Sequence, residues 1–176
     1  MKRLVLALVL SCGGAETPKP VAPTPTTSAE LEIGKPSPDF SVKSSAGEAL
    51  ALSSLKGKWV VVYFYPKDET PGCTKEACGF RDSFKDISQK AVIIGVSADD
   101  DESHKKFIEH WQLPFHLVSD PQGELGKKFG VPFGEKYPGM HSRQTIVIGP
   151  DGSVKKIYRT VDVTKHPAEI LADIST

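Results

Sequence analysis

Two continuous apolar runs dominate the hydrophobic pattern of the chain. Residues 59–65 and 91–97 are rich in β-branched and aromatic side chains and show no polar alternation, which is typical of strands buried on both faces. Between them, over residues 73–88, apolar side chains recur at steps of three and four, which predicts a helix. Two buried strands joined by a helix form a βαβ unit.

Shorter patterns complete the predicted domain. Residues 40–42 and 49–51 could pair as a hairpin, and strong turn residues at 150–152 predict a second hairpin between 145–149 and 154–160. The other predicted elements are helices at 101–111, 124–129 and 167–174 and a strand at 115–118. Phe107, Ile108 and Trp111 are expected on the inward face of the first of these helices, and Trp59 and Trp111 are expected in the core. These elements predict an α/β domain with a mixed central sheet and helices on both faces.

Length and charge exclude several classes of protein. The chain has 176 residues, which suits one compact domain with short extensions. Lys and Arg together number 22, as do Asp and Glu, so nothing favours binding to nucleic acid or to an anionic membrane surface. No run of 18 apolar residues predicts a membrane-spanning helix.

The N-terminus has the parts of a secretory signal. The basic start MKR is followed by LVLALVL and then by Leu-Ser-Cys-Gly around Cys12. This order resembles the lipobox of bacterial lipoproteins, in which the cysteine becomes the first mature residue and carries lipid. We therefore expect a signal peptide at 1–11 with a lipid on Cys12, a Pro/Thr-rich linker at 12–31 and a folded domain at 32–176. The alternative is an unprocessed N-terminus with an unused thiol.

Two of the three cysteines lie in the stretch YPKDETPGCTKEACGF at 65–80. Pro71 suits the first position of a helix, and Thr70 then falls at the N-cap, where its oxygen can accept a backbone N–H. Cys73 lies in the first helical turn, beside unpaired N–H groups and the positive end of the helix dipole. Both features favour a thiolate over a thiol.

The spacing of Cys73 and Cys78 is unsuited to a structural disulfide. Five residues along an intact helix separate the two Cα atoms by roughly 8.7 Å. That distance exceeds the limit of about 7 Å for a disulfide formed without backbone movement. The two can coexist as thiols on a folded helix and can bond only if its first turns unwind.

The same stretch resembles a known family. Pro66, Thr70 and Cys73 fit the P-x-x-x-T-x-x-C signature of peroxiredoxins, and the continuation TKEAC resembles the bacterioferritin-comigratory subfamily, also called peroxiredoxin Q. The similarity extends over roughly residues 33–174 and includes HKKFIEHWQLPFHLVSD and SRQTIVIGPDG. It implies a thioredoxin-like fold, a thiol-dependent peroxidase with no metal or organic cofactor, and a monomer.

The resemblance also implies how the two cysteines divide the reaction. Cys73 would attack the peroxide and become a sulfenic acid, and Cys78 would resolve it into an intramolecular disulfide. A thioredoxin-type protein would then restore both thiols. The substrates would be hydrogen peroxide and organic hydroperoxides.

Four further residues receive roles from the resemblance. Thr70 would hydrogen-bond the peroxide and the sulfur, and Pro66 would shield the thiolate from water. Arg143 would approach from a later strand, stabilise the thiolate and polarise the O–O bond. Glu76 would orient an arginine through a bidentate contact; otherwise it is a solvated helix residue.

Two other classes of function stay open from the residues alone. A membrane-anchored thiol-disulfide oxidoreductase normally uses C-x-x-C, which this chain lacks, and a third possibility is an anchored binding protein without activity. The histidines have no metal-ligand spacing, so we expect them on the surface or in loops, and a position at the rim of the active-site pocket is the alternative for His141. They are His104, His110, His116, His141 and His166.

Overall fold

The computed structural model describes residues 31–175. Its strands are β1 (Ser41–Lys43), β2 (Ala49–Ala51), β3 (Trp59–Phe64), β4 (Ala91–Ser97), β5 (His116–Ser119), β6 (Gln144–Ile148) and β7 (Val154–Tyr158). Its helices are α1 (Pro71–Asp82), α2 (Phe84–Ile87), α3 (Asp101–Trp111), α4 (Glu124–Lys128) and α5 (His166–Asp173), with a 3₁₀ turn at Leu52–Leu55. The predicted signal peptide, Cys12 and nearly all of the predicted linker lie outside the described residues.

Five strands form one mixed sheet in the order β5-β4-β3-β6-β7. β3 pairs in parallel with β4 and antiparallel with β6, so it lies at the centre, as its apolar run predicts. The α1 and α2 helices connect β3 to β4, which confirms the βαβ unit, and β6 and β7 form the predicted late hairpin. β1 and β2 pair as a separate two-stranded sheet.

Both faces of the sheet are covered, which explains the continuous apolar runs. Successive strand residues point to opposite faces, and Tyr63 and Phe64 accordingly belong to two different hydrophobic clusters. The Tyr63 cluster includes side chains of α1, α2, α3 and α5. The Phe64 cluster includes residues of α4 and the early hairpin. Trp59 and Trp111, which we expected in the core, are half-buried and pack against the Tyr63 cluster.

The helix predicted over residues 73–88 is interrupted. α1 ends at Asp82, and Ser83 has φ −93° and ψ 1°, which separates α1 from the single turn of α2. Phe80 and Ile87 are nevertheless both fully buried in one cluster. Because the seven-residue apolar spacing is preserved across the break, the hydrophobic pattern carries no signal of it.

Within residues 31–175, every helix is too short or too polar to cross a lipid bilayer.

Candidate active site

The sheet order brings the two halves of the site together. β3 runs antiparallel to β6, and Phe64 at the end of β3 pairs with Gln144 at the start of β6. The loop that leads from β3 into α1 therefore begins beside Arg143, which directly precedes β6. This pairing places Arg143 at the N-terminus of α1 although about seventy residues of sequence separate it from Cys73.

Cys73 lies in the first turn of α1 and is almost fully buried, with 2% exposure. Thr70 is the N-cap residue in an extended conformation, and Pro71 occupies the first turn, where its missing N–H has no intrahelical acceptor. The unpaired N–H groups of this turn and the positive end of the helix dipole both favour a negative charge on the sulfur.

The side chain of Thr70 differs from the prediction. We expected its oxygen to accept a backbone N–H of the helix, but the structure has no such side-chain cap. Instead, the hydroxyl donates to the carbonyl oxygen of Lys67 at 2.9 Å. The donated hydrogen fixes the direction of the hydroxyl, and its lone pairs remain able to accept a hydrogen bond from a molecule bound at the helix terminus.

Arg143 contacts both Cys73 and Glu76. Its Nη2 donates to Cys73 Sγ at 3.0 Å, and its Nη1 donates to Glu76 Oε2. The Arg143 side chain is 19% exposed, whereas that of Glu76 is fully buried. A planar guanidinium held by a buried carboxylate presents its remaining donors in a fixed direction, toward the sulfur.

Glu76 differs from the prediction in the form of this contact. The expected bidentate pair is absent, because only Oε2 contacts Arg143, and Oε1 is buried without a hydrogen-bond partner in the described structure. The alternative that Glu76 is a solvated helix residue is wrong, since its side chain is fully buried.

Burial and charge act in opposite directions on this pair. Burial raises the pKa of Glu76 to about 7, although the Arg143 cation and its hydrogen bond draw that pKa down. For Arg143, burial opposes the charged form, but the charges of Glu76 and Cys73 together hold its pKa above the ordinary value. Arg143 therefore stays a cation, and a negative charge on either neighbour is stabilised by it.

Cys78 lies in the same unbroken helix as Cys73. Both are free thiols, Cys73 buried and Cys78 half-buried. α5 packs against α1 directly beside Cys78: a Cβ on Gly79 would lie only 2.8 Å from Cγ of Pro167. The adjacent glycine thus permits close contact of the two helices, and unwinding of α1 around Cys78 would have to break that contact.

Pro66 lies two residues beyond β3 in the loop that leads to α1, and it is half-buried. This loop also contains Asp68 and Glu69, for which the sequence predicted no role. Asp68 is 4% exposed, and Glu69 has a φ of 59°, in the left-handed region that non-glycine residues seldom adopt.

The expectation for the histidines was wrong at His104 and His166, which are buried in α3 and α5, whereas His141 lies in a loop as expected but is also buried. His104, His141 and His166 are fully buried, whereas His110 is exposed and His116 is half-buried. The spacing of residues in α3 could have predicted that His104 is buried, because His104 precedes Phe107 by three residues and Trp111 by seven. Such spacing places all three on one face of the helix, and Phe107 and Trp111 were expected to face inward.

Two of the buried histidines have polar partners other than Cys73. His141 Nε2 lies 3.1 Å from Asp120 Oδ2, so its buried ring contacts a buried carboxylate and does not line a pocket rim. His166 Nε2 lies 2.8 Å from Thr145 Oγ1. Burial, with a smaller contribution from the Arg143 cation, lowers the pKa of His166 to about 4, so its imidazole is neutral at pH 7.

Residues 31–175 contain no group of three or more His, Cys, Asp or Glu side chains arranged to hold a metal ion. The arrangement at Cys73 is instead that of a nucleophile: a buried sulfur at a helix N-terminus, in contact with a fixed cation.

Comparisons with known proteins agree with this chemistry. Residues 33–157 match the AhpC/TSA family. The chain is 47% identical over 147 residues to peroxiredoxin Bcp of Bacillus subtilis, covering 80% of this chain and 93% of that protein. It is 42% identical over 147 residues to a putative peroxiredoxin Bcp of Coxiella burnetii, covering 80% and 97%.

A solved structure gives the same result for the fold. The bacterioferritin comigratory protein of Xanthomonas campestris superimposes with a TM-score of 0.73 at 33% identity, covering 82% of this chain and 96% of that one. The predicted thioredoxin-like fold with a mixed central sheet is thus confirmed.

Proposed function

The chain belongs to the AhpC/TSA family of thiol peroxidases, and from this premise we propose that Cys73 is the residue that attacks the peroxide. The observation that carries the proposal is the hydrogen bond from Arg143 Nη2 to Cys73 Sγ at 3.0 Å. A cation at this distance favours the sulfur anion and supplies donors near the oxygen on which charge develops.

In the first step, the Cys73 thiolate attacks the terminal oxygen of the peroxide and the O–O bond breaks. The sulfur is oxidised by two electrons to a sulfenic acid. The other oxygen leaves with the bonding pair, takes up a proton and becomes water or an alcohol. Arg143 stabilises the charge on the leaving oxygen, Thr70 Oγ1 accepts a hydrogen bond from the peroxide O–H, and Pro66 limits access of water.

We infer two classes of substrate, hydrogen peroxide and organic hydroperoxides. The support for the second class is similarity, since the related Xanthomonas campestris structure is described by its alkyl peroxide reduction activity. The first class follows from the reaction itself, because the attacking sulfur needs only the O–O bond and one terminal oxygen.

In the second step, the Cys78 thiol attacks the sulfenic sulfur of Cys73, forming a disulfide and releasing water. Both cysteines lie within α1, so this step requires the first turns of the helix to unwind. A thioredoxin-type dithiol then reduces the disulfide and is itself oxidised to a disulfide. We propose that the protein completes this cycle as a monomer.

Replacing Cys78 with serine is expected to preserve the first turnover and to stop recycling. Attack at Cys73 needs neither Cys78 nor the reductant, so the single-turnover rate should stay within about twofold of normal. The sulfenic acid should then persist, because no neighbouring thiol condenses with it. Rapid mixing with peroxide followed by sulfenic-acid trapping and mass spectrometry measures the first effect. A coupled thioredoxin assay measures the second.

The disulfide form tests whether α1 unwinds when Cys73 and Cys78 bond. Amide hydrogen exchange over residues 72–80 should rise when the disulfide forms, whereas β3 and β4 stay protected. Steady turnover of Cys78→Ser with thioredoxin at the normal rate would exclude the resolving role. Unchanged exchange over 72–80 would contradict the unwinding step.

For the location of the protein, we propose an extracytoplasmic, membrane-anchored lipoprotein with lipid on Cys12. The support is the order of residues: a basic start, the apolar run LVLALVL and Leu-Ser-Cys-Gly. The Pro/Thr-rich residues 12–31 would then hold the enzyme off the membrane.

Cys12→Ala is expected to release the protein from the detergent phase or to block its processing, because the lipid has no other proposed attachment. Mass spectrometry of the native N-terminus and detergent partitioning measure both effects. Peroxide reduction should be unaffected, since Cys73 and Arg143 lie in the separate domain. A native protein that begins with unmodified Met1 would rule out the anchor.

A further inference from the structure

The loop before α1 is fastened to α3 at two adjacent residues. Glu69 Oε2 accepts a hydrogen bond from the indole Nε1 of Trp111 at 3.0 Å, and Glu69 Oε1 lies 3.0 Å from Nδ1 of His110. The backbone of Glu69 is in the left-handed conformation, which disfavours residues with a Cβ. Contacts of its carboxylate with α3 therefore stabilise a backbone conformation that Glu69 would otherwise seldom adopt.

Asp68 provides the second attachment, and this one is buried. Its Oδ1 accepts from the hydroxyl of Tyr65 at 2.8 Å. Its Oδ2 accepts from the hydroxyl of Ser103 at 2.8 Å and lies 2.9 Å from Nδ1 of His104. Ser103 and His104 are both in α3, so the loop is fixed to the same helix from its buried side. A buried carboxylate with this many partners is costly to displace, which makes Asp68 the firm attachment.

α3 also holds the far side of the cysteine segment. Arg81, three residues after Cys78 in α1, donates from Nη1 to the backbone carbonyl of Trp111 at 2.9 Å. Trp111 thus contacts both sides of residues 70–80: its indole holds Glu69 immediately before the segment, and its carbonyl holds Arg81 immediately after it. These residues form what we call the Trp111 bracket, namely Glu69, Arg81 and Trp111.

We propose that the Trp111 bracket sets how readily residues 70–80 unwind, and thereby how the Cys73 sulfenic acid is partitioned between two fates. The proposal rests on the proposed function. In one fate, Cys78 attacks the sulfenic sulfur and water leaves. In the other, a second peroxide transfers one oxygen to the sulfenate, giving a sulfinate and releasing water or an alcohol. The first fate needs the segment unwound, and the second needs only the folded site.

Because the Trp111 bracket is partly exposed, its contacts are easy to break. The side chains of Glu69 and Arg81 are 45% and 33% exposed, so each contact is weak and water can replace it. Loss of one contact therefore raises the population of the unwound segment without emptying the folded state. Because the folded state stays dominant, the attack rate hardly changes, whereas the resolution rate rises in proportion to the unwound population.

The test measures separately the rate at which Cys73 attacks peroxide and the rate at which Cys78 resolves the sulfenic acid. Attack is measured in a Cys78→Ser background, as the loss of Cys73 thiol after rapid mixing with hydrogen peroxide. Resolution is measured with both cysteines present, as the conversion of sulfenic acid to disulfide, and the sulfinate fraction is measured by mass spectrometry at high peroxide. Trp111→Phe removes the indole donor but keeps an aromatic ring, and Glu69→Gln removes the charge of the acceptor.

Each substitution should speed resolution about threefold, lower the sulfinate fraction correspondingly and leave attack within about twofold. In the double variant the two effects should combine less than additively, because both substitutions act on the contact between Glu69 and Trp111. Arg81→Ala should add its own increase, since it breaks the other contact. Glu102→Gln is the matched control: it weakens an exposed pair with Lys106 on α3, neither side chain is hydrogen-bonded to the loop before α1 in the described structure, and neither rate should change.

Two results would overturn the proposal. One is an unchanged resolution rate in both Trp111→Phe and Glu69→Gln. The other is a fall in the attack rate as large as the change in resolution, which general destabilisation would produce. Failure of the proposed function looks different, because the unsubstituted protein would then leave the Cys73 thiol unoxidised by peroxide.

Discussion

Replacing Cys73 with serine is expected to abolish peroxide reduction by the purified protein. A serine hydroxyl is almost entirely un-ionised at neutral pH and is a far weaker nucleophile than a thiolate. Serine is nearly isosteric with cysteine and fits the same buried position in the first turn of α1, so the fold should persist. Single-turnover consumption of hydrogen peroxide and of an organic hydroperoxide measures the loss, and circular dichroism checks the fold.

Cys78→Ser is the matched control, because it removes the other thiol of the same helix and should keep the first turnover. Retention of a normal single-turnover rate in Cys73→Ser would show that another residue reacts with peroxide. The same pair of variants tests the oxidoreductase alternative. A thiol-disulfide oxidoreductase would need both cysteines for exchange with protein disulfides and would leave peroxide unconsumed.

Replacing Arg143 with alanine is expected to slow attack on peroxide by about a hundredfold to a thousandfold, the usual effect of removing a donor aimed at developing charge. The hydrogen bond to Cys73 Sγ is lost, so the thiolate form is less favoured and alkylation by iodoacetamide at neutral pH should slow as well. Stopped-flow peroxide kinetics and alkylation rates measured against pH provide the two readouts. Equal rates in the variant and the unsubstituted protein would remove Arg143 from the site.

Arg143→Lys and Glu76→Gln separate charge from orientation. Lysine keeps the positive charge but cannot contact Cys73 and Glu76 with one rigid fork, so it should restore alkylation more than peroxide attack. Glu76→Gln keeps the cation but loses the carboxylate that holds it, and peroxide attack should slow by less than in Arg143→Ala. A Glu76→Gln variant that is slower than Arg143→Ala would contradict orientation as its role.

The stability of Arg143→Ala should also depend on pH in a defined direction. The pKa of Glu76 is raised from 4.5 to about 7 in the folded protein, so its contribution to the free energy of unfolding is greatest below 4.5 and is lost as pH rises through about 7. Without the cation, that pKa rises further and the loss becomes larger. Urea unfolding at several pH values measures the difference between the two proteins.

The local pattern of apolar residues and of helix-start residues was enough to predict most of the architecture. The runs at 59–65 and 91–97 predict strands buried on both faces, because burial on both faces removes the need for polar alternation. Pro71 and Thr70 predict where α1 begins, because each satisfies a requirement of a helix N-terminus within the chain itself. Cys73 in the first turn follows from these two positions. The family resemblance likewise rests on contiguous residues, chiefly Pro66 to Cys78.

The local details at the two ends of α1 were predicted less well than the position of the helix. Thr70 was placed correctly at the N-cap, yet its hydroxyl donates to Lys67 instead of accepting from the helix. The break at Ser83 was missed because the apolar spacing continues across it. Composition and spacing predict which face of a helix or strand a residue occupies. The acceptor of the Thr70 hydroxyl and the break at Ser83 depend instead on backbone dihedral angles and on the nearest carbonyl oxygen.

By itself, the sequence determined the strands, the start of α1, the position of Cys73 and the family, all of which depend on neighbouring residues. Only the tertiary structure decided which distant groups meet. Arg143 reaches Cys73 because β6 lies beside β3, and Glu69 meets Trp111 because α3 packs near the loop before α1. The burial of Glu76 and its single-oxygen contact with Arg143 were also decided there. Strand order and helix packing arise from the whole hydrophobic core, and no short segment of the chain encodes them.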